Sequence, residues 1–174
     1  TYSINPSYII AEKFKVAFNL SSAFTAPTLY QLYDGYSGNR TLNPETSVSS
    51  EVSLQYIGNK QFNARITGFA RRLRNGIDYD YINNKYFNNA IQKDRGLELE
   101  AGYVSGKWNI KMNHTLLKGE VTTTNFVYNA STWSYRAKGD TTYSHLFRVP
   151  ESNLNIAAGY QLSNKIYLSI AQRF

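Results

Sequence analysis

Residues 97–113 read Leu97-Glu98-Leu99-Glu100-Ala101-Gly102-Tyr103-Val104-Ser105-Gly106-Lys107-Trp108-Asn109-Ile110-Lys111-Met112-Asn113. Two runs alternate with period two about a Gly-centred turn. Leu97, Leu99, Ala101 and Tyr103 oppose Glu98, Glu100 and Gly102; Trp108, Ile110 and Met112 oppose Asn109, Lys111 and Asn113. Helical spacing would set Leu97 beside Glu100 on one stripe, so both runs are strands and the pair is a hairpin. The same alternation recurs at 14–20, 51–56 and 153–160, where Phe14, Val16, Phe18 and Leu20, then Val52, Leu54 and Tyr56, then Leu154, Ile156, Ala158 and Tyr160 share a face.

Connections between these runs alternate in length. Four tight turns are legible at Ala11-Glu12-Lys13, Gly58-Asn59-Lys60, Ser105-Gly106-Lys107 and Ser163-Asn164-Lys165, and Gly or Asn is expected to supply a left-handed residue in the last three. Long polar stretches separate the hairpins at 24–47, 80–92 and 119–146. The expectation is eight strands in four hairpins, near 2–10, 13–23, 48–57, 61–79, 93–104, 107–118, 147–161 and 165–174. Residues 1–174 read as a single segment, with no plug domain and no linker.

Composition narrows the class. The chain has 174 residues and 42% hydrophobic content, so it is neither disordered nor fibrous. The longest clear apolar run is Tyr8-Ile9-Ile10-Ala11, far below the ~18–20 residues of a membrane helix. The start, Thr1-Tyr2-Ser3-Ile4, has no basic stretch leading into an apolar one, so it is read as a mature or trimmed end without a signal peptide. Zero cysteines excludes disulfides and thiolate metal sites. Net charge is +7, but the cations are scattered and only Arg71-Arg72 are adjacent, which fits a solvated or lipopolysaccharide-facing surface and not a nucleic-acid site. Fifteen Tyr and nine Phe among many Asn, Ser and Thr suit exposed strands.

A soluble sandwich also alternates, but its long loops fall at both ends. Short turns at one end and long loops at the other match an antiparallel, up-and-down transmembrane β-barrel, all-β, with its apolar rows toward lipid and its polar rows toward the lumen. Strands of about ten residues suit the ~9–11 needed to cross a bilayer at a tilt. Tyr2, Tyr8, Tyr56, Tyr103, Trp108 and Tyr160 lie near strand ends, where aromatic girdles belong. Lys15, Glu51, Arg65, Glu98, Glu100 and Lys111 fall on the polar rows and are expected to form a lumen-wall ion-pair network.

No catalytic constellation emerges. His114 and His145 are the only histidines, far apart and without metal-ligand spacing. The serines lack a Gly-x-Ser-x-Gly elbow and there is no Gly-rich phosphate loop. Neither catalysis, a metal nor a cofactor is expected.

A longer string is more specific. Residues 22–33 read Ser-Ala-Phe-Thr-Ala-Pro-Thr-Leu-Tyr-Gln-Leu-Tyr and 42–51 read Leu-Asn-Pro-Glu-Thr-Ser-Val-Ser-Ser-Glu. Gly76-Ile77-Asp78-Tyr79, Arg95-Gly96-Leu97-Glu98-Leu99-Glu100-Ala101 and Arg148-Val149-Pro150 follow in order. This ordered set resembles the C-terminal half of the barrel of TonB-dependent outer-membrane transporters. Ile77-Asp78-Tyr79-Asp80 with Tyr86-Phe87-Asn88-Asn89 is closest in flavour to the cobalamin-receptor branch. The resemblance implies an outer-membrane location in a Gram-negative bacterium and uptake of a scarce, bulky nutrient. Its implied partners are outer-membrane lipid and lipopolysaccharide, the remainder of the barrel, a plug and, through the plug, TonB. Family members resemble a 22-stranded barrel, and this chain is too short for that. A self-contained eight-stranded barrel with a structural or adhesion role is therefore the alternative.

Ligand contact, on this resemblance, falls to aromatic and cationic loop residues: Tyr30, Tyr33, Tyr36, Arg40, Tyr86, Phe87, Asn88, Tyr128, Trp133, Tyr135 and Arg136. Rigid rings with a polar handle recognise large amphipathic ligands at modest entropic cost. Cobalamin is the first expectation, a ferric siderophore the second and haem the third, since histidines are few.

Overall fold

A computed structural model describes residues 1–58 and 60–174. Ten strands form one antiparallel sheet: β1 (Ser3–Ile4), β2 (Ser7–Ile10), β3 (Phe14–Thr25), β4 (Glu45–Tyr56), β5 (Phe62–Asp80), β6 (Lys85–Ser105), β7 (Trp108–Asn129), β8 (Ser134–Tyr143), β9 (Ser152–Ser163) and β10 (Ile166–Arg173). Eight of them follow one path, β1-β3-β4-β5-β6-β7-β9-β10, while β2 pairs with β3 and β8 with β7. From β3 to β7 and from β9 to β10, neighbours in sequence are neighbours in the sheet, as an up-and-down wall requires; β2 and β8 share the edges of β3 and β7 with β1 and β9.

The two strands beyond the expected eight have separate causes. Pro6 offers no ladder N–H, so the first strand divides into β1 and β2, and the Pro6 carbonyl instead accepts from Phe18 N at 3.0 Å. β8 lies inside the stretch expected to be a loop at 119–146. There Val121, Thr122, Thr123, Thr124 and Val127 are β-branched, so the backbone continues as strand although the residues are mostly polar. The 80–92 loop contracts in the same way to a turn at 81–84, where Asp80 Oδ1 accepts from Ile82 N at 2.8 Å and Asn84 takes a left-handed φ of 50°. The last long strand starts at Ser152, not 147, because Arg148 is left-handed and Pro150 follows.

Register makes the two faces continuous. Val16, Leu54, Ile66, Leu99, His114 and Leu154 form one cross-strand row, and Phe18, Val52, Gly68, Leu97 and Leu116 the next. Toward the short turns the pairs Phe14–Tyr56, Phe62–Tyr103 and Trp108–Tyr160 add an aromatic belt, with Trp108 and Tyr160 ring centroids 4.7 Å apart. The opposite face carries Lys15, Gln55, Arg65, Glu100, Asn113 and Asn155 in one row. Nothing covers the apolar face: Leu42 is the one buried hydrophobic residue among those described. A single-layer sheet of this kind needs lipid, not a second sheet, to bury its apolar rows.

Only part of the expected turn chemistry holds. Gly106 is left-handed at φ 55°, but Ala11 and Glu12 take φ 48° and 56° without being Gly or Asn. The turn after Ser163 uses no left-handed residue and is closed by a register shift between Ile166 and Tyr167. The expected turn residue Asn59 lies outside the described residues.

Candidate functional site

Strands β5, β6 and β7 contain 19, 21 and 22 residues, about twice what a tilted crossing needs, so they project past the bilayer on the long-loop side. Three segments meet on this projection: 26–44, the β5–β6 hairpin and the β7–β8 hairpin. In the first, Thr28 caps the five-residue helix α1 (Leu29–Tyr33): its Oγ1 accepts from Gln31 N at 3.2 Å, and Gln31 Oε1 accepts from Thr28 N at 2.8 Å. Asp34 then accepts from Ser37 Oγ at 2.7 Å, Ser37 N at 2.8 Å and Tyr36 N at 3.2 Å. Those donors, the Ser37 hydroxyl first, hold the Asp34 carboxyl below its ordinary range.

The first segment is anchored to the second through β6. Tyr86 N donates to Ser37 O at 3.1 Å and Asn39 Nδ2 to Tyr86 O at 2.8 Å. Asn88 accepts from Asn43 N at 2.8 Å and donates to Asn43 O at 2.9 Å and to Asn75 O at 2.7 Å. Glu45 Oε1 accepts from Ile77 N at 2.8 Å beside a β5 bulge. Asp78 joins the third segment by accepting from Thr123 Oγ1 at 2.5 Å, and Asn89 donates to Thr124 Oγ1.

On this frame seven rings form one chain. Tyr30 meets Tyr86 at 6.2 Å between centroids; Tyr86 meets Tyr79, and Tyr79 meets Tyr81, each at 5.1 Å. Tyr81 then branches to Phe126 at 5.9 Å and Tyr135 at 5.5 Å, and Tyr135 continues to Tyr128 at 5.2 Å. Edge-to-face and tilted contacts of this kind give rigidity while leaving phenol groups free to hydrogen-bond.

Tyr30, Tyr86, Tyr128 and Tyr135 of the expected ligand residues are therefore brought together. Others are not part of the chain of rings. Arg40 stacks over Tyr33 at 5.4 Å, Tyr36 is exposed at the Asp34 turn, and Phe87 is half-buried opposite Asp78. Trp133 stands 84% exposed at the β7–β8 tip with Arg136 near it in sequence. Asn88 is spent on backbone groups. Tyr79, Tyr81 and Phe126 are not among the expected ligand residues: the sequence pattern ends a strand at 79 and places Phe126 in a loop, so no cross-strand partner is legible there.

The lumen-side charges share one face but do not form the expected network. Arg65 pairs with Glu100 at 2.9 Å, and Glu51 accepts long bonds from Ser49 and Asn19 at 3.4 and 3.5 Å. Lys15, Glu98 and Lys111 have no ion-pair partner among the described residues. The tightest pair on that face is Arg71–Asp94 at 2.6 Å, with the Asp94 side chain 3% exposed and also taking a bond from Gln92. A groove of about 510 Å³ near the short-turn end is bordered by Glu100, Lys111 and Arg173. His114 bonds Ser152 Oγ at 3.0 Å, and His145 lies against Phe147, 5.4 Å between ring centroids.

An uncovered apolar band, an aromatic belt, a polar inner face and rigid outer hairpins define a section of transmembrane β-barrel wall. Over residues 1–172 the chain matches the family described as TonB dependent receptor-like, beta-barrel, and it belongs to that family of Gram-negative outer-membrane receptors and transporters. The vitamin B12 transporter BtuB of Vibrio cholerae is 35% identical over 109 residues, which is 61% of this chain and 17% of that protein. The ferric-catecholate import receptor Fiu of K12 E. coli superposes with a TM-score of 0.71 at 18% identity, covering 98% of this chain and 24% of Fiu. The siderophore receptor PirA of Pseudomonas aeruginosa gives 0.59 at 23% identity, covering 96% and 34%. The chain thus spans well under half the length of each.

Proposed function

We propose that residues 1–174 form one continuous part of the wall and ligand-facing hairpins of an active importer, and that its cargo is a cobalamin, with a ferric siderophore the second choice. The chain of rings from Tyr30 to Tyr128 carries this reading, because it offers a preorganised aromatic surface on the outer side of the wall. Likeness to a vitamin B12 transporter supports the first cargo, and likeness in fold to siderophore receptors supports the second. Energy would reach the site through a plug and TonB, since the outer membrane has no ATP of its own; nothing in these residues supplies that coupling. The polar inner face, with Arg65, Glu100 and Lys111, would receive the plug. Equilibrium binding of the intact receptor to cyanocobalamin and to ferric siderophores tests the order. Tight cobalamin binding is expected; tight binding of a siderophore without cobalamin would overturn it.

A further inference from the structure

The six tyrosines of the ring chain are also a chemical series. Between centroids, Tyr30–Tyr86, Tyr86–Tyr79, Tyr79–Tyr81, Tyr81–Tyr135 and Tyr135–Tyr128 stand 6.2, 5.1, 5.1, 5.5 and 5.2 Å apart, so phenol follows phenol without a gap. Phe126, the seventh ring, is a dead end, because a bare benzene ring gives up an electron far less readily than a phenol. The sequence also lacks the side chains that intercept oxidants first. It has no cysteine, and its one methionine, Met112, lies in an outward row of the wall between Ala101 and Ile156. Oxidising equivalents that reach the outer hairpins therefore fall on tyrosine and on Trp133.

Between identical phenols an electron vacancy moves with almost no driving force in either direction, so it samples the whole series and stops where a product forms. Two phenols must then meet ring to ring. Tyr79 is unsuited: it is half-buried, its hydroxyl donates to Asn84 at 3.4 Å, and it meets Tyr81 and Tyr86 edge to face at 81° and 66°. Tyr81 and Tyr135 lie closer to parallel, at 34°, but in separate hairpins, and the ladder of β8 runs to β7. Tyr128 and Tyr135 are directly opposite across β7 and β8, their rings tilted at 54° and the residues 47% and 43% exposed. Register holds these two side chains together on one face of the hairpin, and water is at hand to take their protons.

We propose that Tyr128 and Tyr135 are a site of oxidative cross-linking, fed by the tyrosine series and driven by a one-electron oxidant of phenols from the medium. Each phenol gives one electron to the oxidant and its O–H proton to water. The two phenoxyl radicals join through the ring carbons beside their oxygens, and each of those carbons then passes its hydrogen, as a proton, to the oxygen. Two electrons and two protons leave in all, two equivalents of oxidant are reduced, and one carbon–carbon bond forms. The new bond closes the β7–β8 hairpin covalently and draws oxidising equivalents away from Tyr30, Tyr86 and Tyr79. Ring geometry carries this, whatever the cargo.

The test is light-driven oxidation of the intact receptor in detergent by tris(bipyridine)ruthenium with persulfate as electron acceptor, the oxidant being limiting. Tryptic cleavage leaves Tyr128 and Tyr135 together in 119–136, Tyr79 and Tyr81 in 75–85 and Tyr86 in 86–93, so peptide mapping tells the pairs apart. Loss of two hydrogens within 119–136, with blue dityrosine fluorescence, is the expected main product. Tyr135→Phe should abolish it. Tyr81→Phe keeps the ring contacts but breaks the series, and should lower the yield about threefold, since two phenols and not six then feed the pair. Tyr167→Phe, which removes an exposed phenol outside the series, should leave the yield unchanged. Unfolding in urea should abolish the preference for this pair. A main product joining 75–85 to 86–93 or to 119–136, absence of dityrosine, or a yield unmoved by Tyr81→Phe would each overturn the proposal.

Discussion

Asn43 and Asn88 exchange two hydrogen bonds: Asn43 N donates to the Asn88 side-chain oxygen at 2.8 Å, and the Asn88 amide donates back to the Asn43 carbonyl at 2.9 Å. A third bond from Asn88 to the Asn75 carbonyl, 2.7 Å, fixes the left-handed residue at the β5 bulge. One side chain thus satisfies three backbone groups in two segments far apart in sequence. These bonds are solvent-exposed, so water can replace them, and Asn88→Ala should cost about 0.5–1.5 kcal/mol. Faster limited proteolysis between 34 and 44 would report it, and Asn88→Asp should fall between the two, since it keeps only the acceptor. Unchanged cleavage in the Ala variant would contradict this role.

At the opposite end of the wall, Ala11 and Glu12 make a two-residue turn with both φ values positive, a conformation that residues with a Cβ enter at a cost. Ala11→Asn with Glu12→Gly should relieve about 1 kcal/mol of it. Urea unfolding of the receptor in lipid vesicles should show a higher midpoint with an unchanged slope. A lower midpoint would mean that Glu12 has a favourable role that outweighs its backbone strain.

Two ion pairs on the inner face differ in exposure, and their removal should differ accordingly. Arg65 and Glu100 side chains are 43% and 40% exposed, so Arg65→Ala should cost under about 1 kcal/mol. Asp94 is 3% exposed and takes both Arg71 Nε at 2.8 Å and an Arg71 terminal nitrogen at 2.6 Å. Arg71→Ala strands a buried carboxylate and should cost about 2 kcal/mol or more. Adding Asp94→Asn to Arg71→Ala should recover much of that loss. The same unfolding measurement checks it; equal effects of Arg65→Ala and Arg71→Ala would refute the distinction.

The wall was readable because period two is strict wherever one face is apolar: Leu97, Leu99 and Leu116 declare their side by composition alone. Above the bilayer both faces are wet, and the alternation that marks a strand disappears. Thr122, Thr123 and Thr124 then look like loop, although β-branching keeps them extended. For the same reason four members of the ring chain were found as loop aromatics while Tyr79, Tyr81 and Phe126 were not. The Arg71–Asp94 pair escaped because its partners lie in strands whose register only the sheet supplies.

The 28–44 segment carries its own pH dependence. Asp34 has its folded-state pKa lowered from 3.8, so the stability that it contributes is fully present above that value and is lost as pH falls through the lower folded one. Hydrogen exchange at the Ser37 amide, corrected for its intrinsic rate, should be flat from about pH 7 to pH 5 and lose protection only in the acid range. Asp34→Asn should abolish the acid step while keeping a weaker bond to Ser37. Loss of protection near pH 6, or an acid step that survives in Asp34→Asn, would assign the transition elsewhere.

Tyr81 is the branch point of the aromatic chain, with rings of Tyr79, Phe126 and Tyr135 at 5.1, 5.9 and 5.5 Å. Among the described residues it alone links the β5–β6 rings to those of β7–β8. If the chain is the cargo surface, its value lies in holding the two hairpins in one geometry before the ligand arrives, which lowers the ordering cost of binding. Tyr81→Ala should therefore weaken cobalamin binding by at least tenfold, chiefly through faster dissociation, while Tyr81→Phe should stay within about threefold because it keeps all three ring contacts. Joint replacement of Tyr36, Tyr86 and Trp133 by Ala should likewise weaken binding more than Leu97→Ala on the lipid side does. Surface plasmon resonance on the intact receptor measures both rates. Equal dissociation from Tyr81→Ala and Leu97→Ala would mean that these rings brace the hairpins without touching cargo, and the ligand face would have to be sought on the inner wall.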